Sequence, residues 1–370
     1  MKQWYQSGCT FIWIFNVGRG VAAFVRTPLN HGILVDMGMS EDFDPCGFVE
    51  SHILSRLSEY AHDDGDTPYE ARKIAQVILS HPHADHISQC QFLNKKSFEP
   101  SLLTCPHDKD GTERPEKVNW DRIENPEGTQ ASVDTYRSLY KTRKPGLSTM
   151  NTTSLSLSSG LEYGLYYLRP PICEILHVDD DNCYGNATSL VIYFRHGDSS
   201  ILFPGDITPE GLAHLLSEGD GAEKRYTIFR YHSSGEQKDW YKATLQQPSL
   251  KSNLQEHGLT FLVAPHHGLE SGFSETLYRS IKTGKPNLVI ISEKKHTSEQ
   301  DGTVDRRYDS PAGASGMRVS VEGRQEDRRV LSTEDGFHIL IALSGTGSAP
   351  RVWAEKKPER LMDILETLAH

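Results

Sequence analysis

Short apolar runs separated by polar segments characterise the first third of the chain. Each run is rich in β-branched and aromatic residues and is followed by glycine or charged residues, a pattern that predicts strands. Residues 48–59 instead place apolar side chains at helical spacing, so this segment is predicted to form a helix. Strands followed by helices favour a layered α/β architecture. The predicted strands of this third are residues 11–17, 21–25, 32–35 and 74–79.

Longer polar stretches interrupt the rest of the chain. Residues 91–160 contain one strand candidate, residues 102–105, and then a segment rich in proline, glycine, lysine, serine and threonine. A loop of that length is typically functional or partly disordered. Residues 225–251 form a second polar insertion. The remaining predicted elements are a hairpin of residues 190–194 and 201–203, a helix at 209–217, strands at 261–264 and 288–291, a closing hairpin of 329–332 and 337–343, and a C-terminal helix at 358–368.

Composition and charge narrow the class of protein. The chain has 370 residues, 36% of them hydrophobic, and a net charge of −11. This length suits one large α/β domain with insertions or two smaller domains. No run approaches the ~18 consecutive apolar residues of a membrane helix, and the N-terminus lacks the apolar region of a signal peptide. We therefore expect no association with a membrane. The acidic balance argues against a broad electrostatic grip on nucleic acid but is compatible with a local basic groove.

The number and spacing of the cysteines bear on the cellular compartment of the protein. The six cysteines are scattered and none forms a CxxC pair. This pattern argues against a zinc ribbon and against a disulfide framework. Reduced thiols and the lack of a signal peptide together predict a cytoplasmic protein.

Four potential metal ligands follow the apolar run at residues 74–79. His81, His83, Asp85 and His86 lie within six residues. Side chains two apart share a face in an extended segment, so His81 and His83 are expected to point the same way. Imidazoles combined with a carboxylate suit zinc, iron or manganese better than calcium. The spacing therefore predicts a transition-metal site, with two ions if the His–His and Asp–His pairs each bind one.

The sequence His-Pro-His-Ala-Asp-His at residues 81–86 resembles the signature motif of the metallo-β-lactamase superfamily. The resemblance implies an α/β fold, a four-layer αββα sandwich with long loop insertions, and a metal site at its edge. Several further segments resemble the ComEC-like branch, which includes the nuclease domain of competence proteins. The segments that resemble other parts of the superfamily pattern are residues 33–38, 186–191, 201–206, 262–268, 285–292 and 329–336.

The resemblance also implies the domain boundaries. The matched segments run from about residue 11 to residue 343 and are interrupted by polar insertions. We therefore predict a catalytic domain over residues 1–350, with insertions at about 91–160 and 223–255. Residues 351–370 are predicted to form a C-terminal helical extension.

Each matched position carries an implied role. Asp206 would bridge two ions, and Asp36 would support the metal site from outside it. Either His266 or His267 would complete the second ion's ligands; His266 follows the buried strand more directly and is the predicted ligand. The ligands implied by the resemblance are His81, His83, Asp85, His86, Asp206 and His266. The predicted catalytic residues are Asp85, Asp36, His267 and Asn186.

Two departures from the family pattern bear on the site. The family's early Asp-Val-Gly-Gln-Gly-Asp run appears here as Asn-Val-Gly-Arg-Gly-Val at residues 16–21, so both acidic positions are lost. Asn186 stands where many members have a third histidine for the first ion. We therefore expect one or two Zn²⁺ ions per chain, with Mn²⁺ as an alternative, and either a weakly bound first ion or a single-metal enzyme.

The resemblance implies a metal-dependent hydrolase that uses a metal-activated hydroxide. The leading hypothesis is a phosphodiesterase or nuclease acting on the phosphodiester bonds of a nucleic acid or nucleotide. The alternative is a hydrolase of a small ester, thioester, lactone or β-lactam, which the acidic net charge slightly favours. A third interpretation is a non-catalytic interaction module that keeps the fold. A partner protein or a second copy of the chain is compatible with all three.

Overall fold

The computed structural model describes the chain in segments. Of the predicted insertion at residues 91–160, residues 106–129 and 143–159 lie outside the described part. No helix within the described segments is both long and apolar enough to cross a bilayer. The described residues are 8–28, 31–55, 74–95, 98, 100, 102–105, 130–142, 160–166, 186, 189–217, 224–234, 237–294 and 303–368.

The strands within these segments form two sheets. They are β1 (Cys9–Ile14), β2 (Ala22–Arg26), β3 (Gly32–Met37), β4 (Ile74–Ile78), β5 (Leu102–Thr104), β6 (Leu161–Tyr166), β7 (Val191–His196), β8 (Ser199–Phe203), β9 (Lys224–Ser234), β10 (Gln237–Gln247), β11 (Phe261–Val263), β12 (Leu288–Ile291), β13 (Met317–Val321), β14 (Arg324–Arg328), β15 (Val330–Ser332), β16 (His338–Ser344) and β17 (Arg351–Glu355). Among the described residues, the large sheet has 11 strands in the order β10-β9-β5-β4-β3-β2-β1-β16-β17-β13-β14, and the small sheet has six in the order β15-β12-β11-β8-β7-β6. Both sheets mix parallel and antiparallel neighbours, so the fold is mixed α/β.

Helices connect these strands. The α-helices are α1 (Pro45–Phe48), α2 (Ala84–Ile87), α3 (Gln130–Thr142), α4 (Pro209–Ser217), α5 (Leu250–His257), α6 (Glu275–Ser280) and α7 (Pro358–Leu368). The first of them begins at Asp44, whose side chain accepts a hydrogen bond from the Gly47 N–H, and continues as a π-helical turn over Val49–Leu54. The predicted helices at 209–217 and 358–368 are confirmed. Shorter 3-10 turns occupy Cys90–Asn94, Pro265–Gly268, Glu270–Gly272 and Thr333–Asp335.

The first strand shows why its sequence is apolar throughout. Ile12 and Ile14 pack in a hydrophobic core that also contains side chains of small-sheet strands β7, β8 and β11. Phe11 and Trp13 point to the opposite face and pack in a second core that includes residues of α1 and α7. Successive side chains of a strand alternate between faces, so a strand covered on both faces needs apolar residues at every position.

A buried polar contact links β4 to the small sheet. Tyr163 Oη, on β6, donates a hydrogen bond of 3.1 Å to Gln76 Oε1, on β4. Gln76 Nε2 in turn donates to Thr104 Oγ1 at 2.9 Å. Buried polar groups are costly unless they are paired, and this chain of contacts pairs each side of the Gln76 amide. It fixes the strand that leads into the His81 segment.

The predicted closing hairpin of residues 329–332 and 337–343 is wrong. β15 pairs in parallel with β12 in the small sheet. β16 instead pairs with β1 and β17 in the large sheet. The turn at Thr333–Asp335, which ends at Gly336 with φ 87°, therefore carries the chain from one sheet to the other. By contrast, the predicted hairpin of 190–194 and 201–203 is confirmed as β7–β8.

Three other segments form strands that the sequence did not predict. The stretch at 223–255 contains the antiparallel pair β9–β10, which extends the large sheet beyond β5, and the first turns of α5. Residues 351–355, assigned from sequence to a helical extension, form β17, and the helix begins only at Pro358. The β13–β14 hairpin was missed, because β14 reads Arg-Gln-Glu-Asp-Arg and is largely exposed.

Candidate metal centre

The predicted metal motif begins where β4 ends in the large sheet. His81 follows the strand and is fully buried. His83 keeps an extended backbone, with φ −69° and ψ 148°, at the start of α2, and its ring centroid lies 4.6 Å from that of His81. His86 lies one turn later on α2, with its ring centroid 4.1 Å from that of His81. The local geometry thus brings three imidazoles side by side, and Asp85 lies on the same short helix.

Asp206 reaches this motif from the small sheet. It follows β8 and is 3% exposed. Its Oδ2 lies 3.7 Å from His81 Nε2, and its Oδ1 lies 3.4 Å from His86 Nε2. Gly205 permits this approach, because its φ is 58° and a Cβ at that position would lie 3.0 Å from Ser80 Cβ; glycine adopts this backbone without steric cost. Both sheets therefore contribute donors to one cluster.

The segment after β11 places His267, more closely than His266, in the cluster. His267 is 2% exposed, and its Nε2 lies 3.2 Å from both Asp85 Oδ2 and Asp206 Oδ2. His266 Nε2 is 4.0 Å from Asp206 Oδ2, and the His266 side chain is 29% exposed. Both histidines have left-handed backbones, with φ 47° and 56°, which is uncommon for residues other than glycine. The geometry favours His267 as a ligand, where the sequence had favoured His266.

Asp36 orients the motif through three hydrogen bonds. At the end of β3, its Oδ1 accepts from the Ser80 N–H at 2.6 Å, and its Oδ2 accepts from Ser80 Oγ at 2.7 Å. The same Oδ2 lies 2.8 Å from His86 Nδ1. A carboxylate on one ring nitrogen fixes the tautomer and turns the other nitrogen toward a metal. Asp36 therefore lies where the predicted supporting role requires it.

The donor atoms fit the spacing of a metal site. Two groups, His81–His86–Asp206 and Asp85–His86–His267, each keep their donor atoms within 4.8 Å of one another. Ligands of a tetrahedral zinc ion lie roughly 3.4 Å apart, given bonds of about 2.1 Å. In addition, Nε2 of His81 and Nε2 of His86 are buried and have no hydrogen-bond partner in the described part of the chain. Such orphaned atoms are rare in folded proteins, and a bound cation would satisfy them.

Burial and neighbouring charges move the pKa values of the two adjacent imidazoles in opposite directions. Burial and the neighbouring His86 lower the pKa of His81 well below its usual value. Burial also lowers the pKa of His86, but the carboxylates of Asp206, Asp36 and Asp85 outweigh it and raise that pKa well above normal. His81 is therefore neutral near pH 7, as a ligand must be, whereas His86 holds a proton that a metal would displace.

The remaining charged groups show the same competition between burial and partners. Burial raises the pKa of Asp206, but His267 and His86 lower it more, so the net shift is downward. The pKa of Asp85 is lowered in the same way, by His86 and His267. For His267, burial lowers the pKa, and Asp206 and Asp85 raise it to about 9 overall. The carboxylates of Asp206 and Asp85 thus favour a proton on His267 Nε2, 3.2 Å from each of them.

These shifts predict how the stability of the metal-free protein depends on pH. The raised pKa values of His86 and His267 contribute stability that is complete below about pH 6.5 and falls as the pH rises; the His267 contribution is lost as the pH passes through about 9. The lowered pKa of His81 acts oppositely, because the unfolded chain binds more protons below about pH 6.5. Thermal unfolding in a chelator should therefore show a maximum near pH 6.5. Buffered zinc should remove the alkaline decline, and a melting temperature that rises from pH 6.5 to 9 without metal would contradict the assignment.

Two predicted site residues lie less close to the donors. The His83 ring packs against His81 but is half-buried and belongs to neither compact donor group. Asn186 is 8% exposed, and its backbone carbonyl accepts from the Ser189 N–H. Asn186 Oδ1 is buried and has no partner in the described residues. Ser189 in turn accepts a hydrogen bond on its Oγ from the Asp206 N–H. Asn186 is therefore linked to Asp206 through Ser189, and the Oδ1 of Asn186 is an unsatisfied acceptor within the described segments.

Sequence reasoning missed two residues that touch the cluster. Ser80 Oγ lies 3.0 Å from His81 Nδ1 and 3.2 Å from His86 Nδ1, so it spans both rings. The Gly20 N–H donates to His267 Nδ1 at 3.3 Å. The position of Ser80, directly before the motif, was the available signal for the first. No local signal in the sequence pointed from Gly20 to a histidine 247 positions away.

Comparisons with known proteins give no family assignment. No family model matches the chain, and no curated protein matches it. The functional assignment therefore depends on the sequence motif and the geometry of the donor cluster.

Proposed function

We propose that this protein is a metal-dependent hydrolase of the metallo-β-lactamase superfamily, in its ComEC-like branch. The proposal includes a four-layer αββα architecture. One core containing residues of both sheets, and a second core between the large sheet and helices α1 and α7, support that architecture. The chain order of the site segments, which follow β3, β4, β8 and β11, supports it as well.

One observation carries the proposal: buried donors from distant segments converge on a common point. His81 and His86 come from the large sheet, and Asp206 and His267 come from the small sheet. Packing alone offers no reason to gather imidazoles and carboxylates in the interior, because unpaired buried charges are expensive. Their convergence supports a cation as the natural occupant.

The donor set suits one or two Zn²⁺ ions, with Mn²⁺ as an alternative. One group would be His81, His86 and Asp206, and the other Asp85, His86 and His267. His86 has a single free nitrogen, so it can serve only one ion at a time; Asp206 has two oxygens and can serve both. A bound divalent cation would supply Lewis-acid chemistry that activates water near neutral pH and polarises the bond to be broken.

The protein's own residues prepare the site for that chemistry. Asp36 and Ser80 hold the rings of His86 and His81 by their Nδ1 edges, so that both Nε2 atoms face inward. Burial of these rings and of Asp206 keeps bulk water away and strengthens the local electrostatics. His266, partly exposed and with Nδ1 3.0 Å from Ser271 Oγ, is placed at the rim to donate a hydrogen bond to a substrate.

We propose a phosphodiester as the substrate, in a nucleic acid or a nucleotide. Two adjacent donor groups, with Asp206 close to donors of both, suit the in-line displacement of phosphoryl transfer, since both the attacking and leaving oxygens carry negative charge. Lys294 is exposed beside Gly18, where a Cβ would lie 3.4 Å from Lys294 Cβ. This cation next to the 18–20 turn supports an anionic substrate, in a chain that is acidic overall.

A metal and substrate panel tests the proposal. Metals would be counted per chain in the protein as isolated, and the protein would then be offered bis-p-nitrophenyl phosphate, DNA, RNA, a β-lactam and a thioester. We expect at least one zinc or manganese ion per chain and hydrolysis of the phosphodiester. His81→Ala and Asp85→Ala, each of which removes a donor of one group, should each lower turnover by about 100-fold or more, as expected when a cation that stabilises the transition state is lost.

The control for this panel is His214→Ala, on α4, which should leave turnover unchanged. Hydrolysis of only the thioester or the β-lactam would replace the phosphodiester assignment with the small-substrate alternative. A metal-loaded protein without any turnover would indicate an interaction module. Lack of any bound metal, even after incubation with zinc, would refute the metal-dependent mechanism itself.

A further inference from the structure

A partly buried ion pair, Arg19–Glu293, lies beside the candidate metal centre without belonging to it. Glu293 is fully buried, just after β12, and accepts three hydrogen bonds from the Arg19 guanidinium: Nε to Oε1 at 3.2 Å, Nε to Oε2 at 3.4 Å and Nη2 to Oε2 at 3.3 Å. This forked arrangement uses the planar geometry of arginine, which lysine cannot reproduce. A fully buried carboxylate requires such pairing.

The small-sheet side of this contact is anchored firmly. The Glu293 N–H donates to Thr333 Oγ1 at 3.0 Å, and Thr333 Oγ1 donates back to the Glu293 carbonyl at 3.0 Å. The neighbouring Ser292 Oγ donates to the Gly20 carbonyl at 2.5 Å. We call residues 18–20 the arginine turn. It is therefore held through the Arg19 side chain, by Glu293, and through the Gly20 backbone carbonyl, by Ser292.

The arginine turn contacts two residues of the metal cluster. In this structure the Gly20 N–H donates to His267 Nδ1 at 3.3 Å. An ion on Nε2 would place the ring proton on Nδ1, so the turn would then contact the ring by packing alone. Gly20 also packs directly on the backbone of Asp85, since a Cβ at Gly20 would lie 2.1 Å from the Asp85 carbonyl oxygen. His267 and Asp85 belong to the same donor group. One turn thus contacts two of the three donors in that group.

We infer that Arg19 and Glu293 are positioning residues of the metal centre, whose ion pair fixes the arginine turn so that it holds His267 and Asp85 in place. The inference rests on the proposed metal-dependent function. Glu293 touches neither the donors nor a substrate and acts only through the turn. The turn contacts His267 and Asp85 directly, so we expect its effect to be largest on the ion held by that donor group.

Glu293→Gln tests this role, because it keeps the shape of the side chain and removes its charge. Two quantities would be measured: hydrogen exchange of the Gly20 amide in metal-free protein, and zinc affinity by competition with a chelator. We expect faster exchange at Gly20 and an affinity loss of about tenfold or more for one ion, the usual cost of losing a residue that orients a ligand. Affinity for any other ion should change less.

A mutant cycle separates positioning from general destabilisation. In the His267→Ala background one of the two positioned ligands is already absent, so adding Glu293→Gln should cost less zinc affinity than it costs the wild-type protein. An equal loss in both backgrounds would overturn the inference. Unchanged zinc affinity in Glu293→Gln, despite faster Gly20 exchange, would overturn it too. Glu162→Gln, which breaks the Arg195–Glu162 pair at the edge of the small sheet, is the matched control.

A second variant covers the case in which Glu293→Gln does not fold. Arg19→Lys keeps the charge near Glu293 but loses the fork, and should give the same two changes to a smaller extent. Wild-type protein that binds no metal would contradict the proposed function. The Gly20 exchange would still decide whether the ion pair holds the turn, because that measurement needs no metal; slow exchange persisting in both variants would refute it.

Discussion

Replacing Asp206 with asparagine should lower zinc affinity by more than about 100-fold and reduce hydrolysis to background. The carboxylate lies 3.7 Å from His81 Nε2, 3.4 Å from His86 Nε2 and 3.2 Å from His267 Nε2, so it is placed to serve both donor groups. Asparagine keeps the size and removes the charge. Loss of an orienting residue alone costs 10–100-fold in metal affinity, and the loss of a shared ligand should exceed that.

Zinc affinity would be measured by chelator competition and turnover with the best substrate of the panel. Asp198→Asn provides the matched control, because Asp198 is an exposed aspartate in the β7–β8 turn. That variant should retain both properties. An Asp206→Asn protein that folds, as judged by circular dichroism, and still binds zinc at the wild-type affinity would remove Asp206 from the metal site.

Gly20→Ala should destabilise the folded protein by more than about 3 kcal/mol, or prevent folding. The new Cβ would lie 2.1 Å from the Asp85 carbonyl oxygen and 2.9 Å from its carbonyl carbon, and backbone atoms cannot yield as a flexible side chain can. The positive φ of 106° adds a further penalty of roughly 1–2 kcal/mol for a residue with a Cβ. Thermal and urea unfolding of the metal-free protein would measure the loss.

Gly284→Ala separates the two contributions. Gly284 also has a positive φ, 75°, but a Cβ there would meet nothing within 4 Å. This variant should lose only the backbone term, about 1–2 kcal/mol. Equal losses at the two positions would show that Gly20 is constrained by its dihedral angles alone, and that the close packing of the arginine turn on Asp85 is absent in solution.

The sequence predicted best those elements whose structure is determined by residues close together in the chain. β1 to β4 could be predicted because each is an apolar run whose residues pack on two buried faces. The spacing of His81, His83 and His86 also has a local cause, because the end of a strand and the start of a short helix bring their rings together. Segments of this kind need no knowledge of distant contacts.

Other features depend on contacts that a single sequence does not display. The apolar runs on either side of Gly336 predicted a hairpin. The sequence pattern of two strands joined by a turn is the same whether the strands pair in one sheet or lie in different sheets. Which of His266 and His267 lies closer to the donor cluster depends on the left-handed backbone of both residues. Histidine rarely adopts that conformation, so the residue types give no reason to expect it. β14 was missed because an exposed strand at the edge of a sheet has no apolar alternation to reveal it.

The division of the donors between the two sheets constrains the order of assembly. β3 and β4 deliver Asp36, His81 and His86, while β8 and β11 deliver Asp206 and His267. If the proposed ion binds, neither sheet alone supplies either donor group, so tight binding would require the two sheets to have packed together. Zinc would then bind late in folding and link the two sheets. Its removal should first weaken the packing between the sheets, before the strands within either sheet separate.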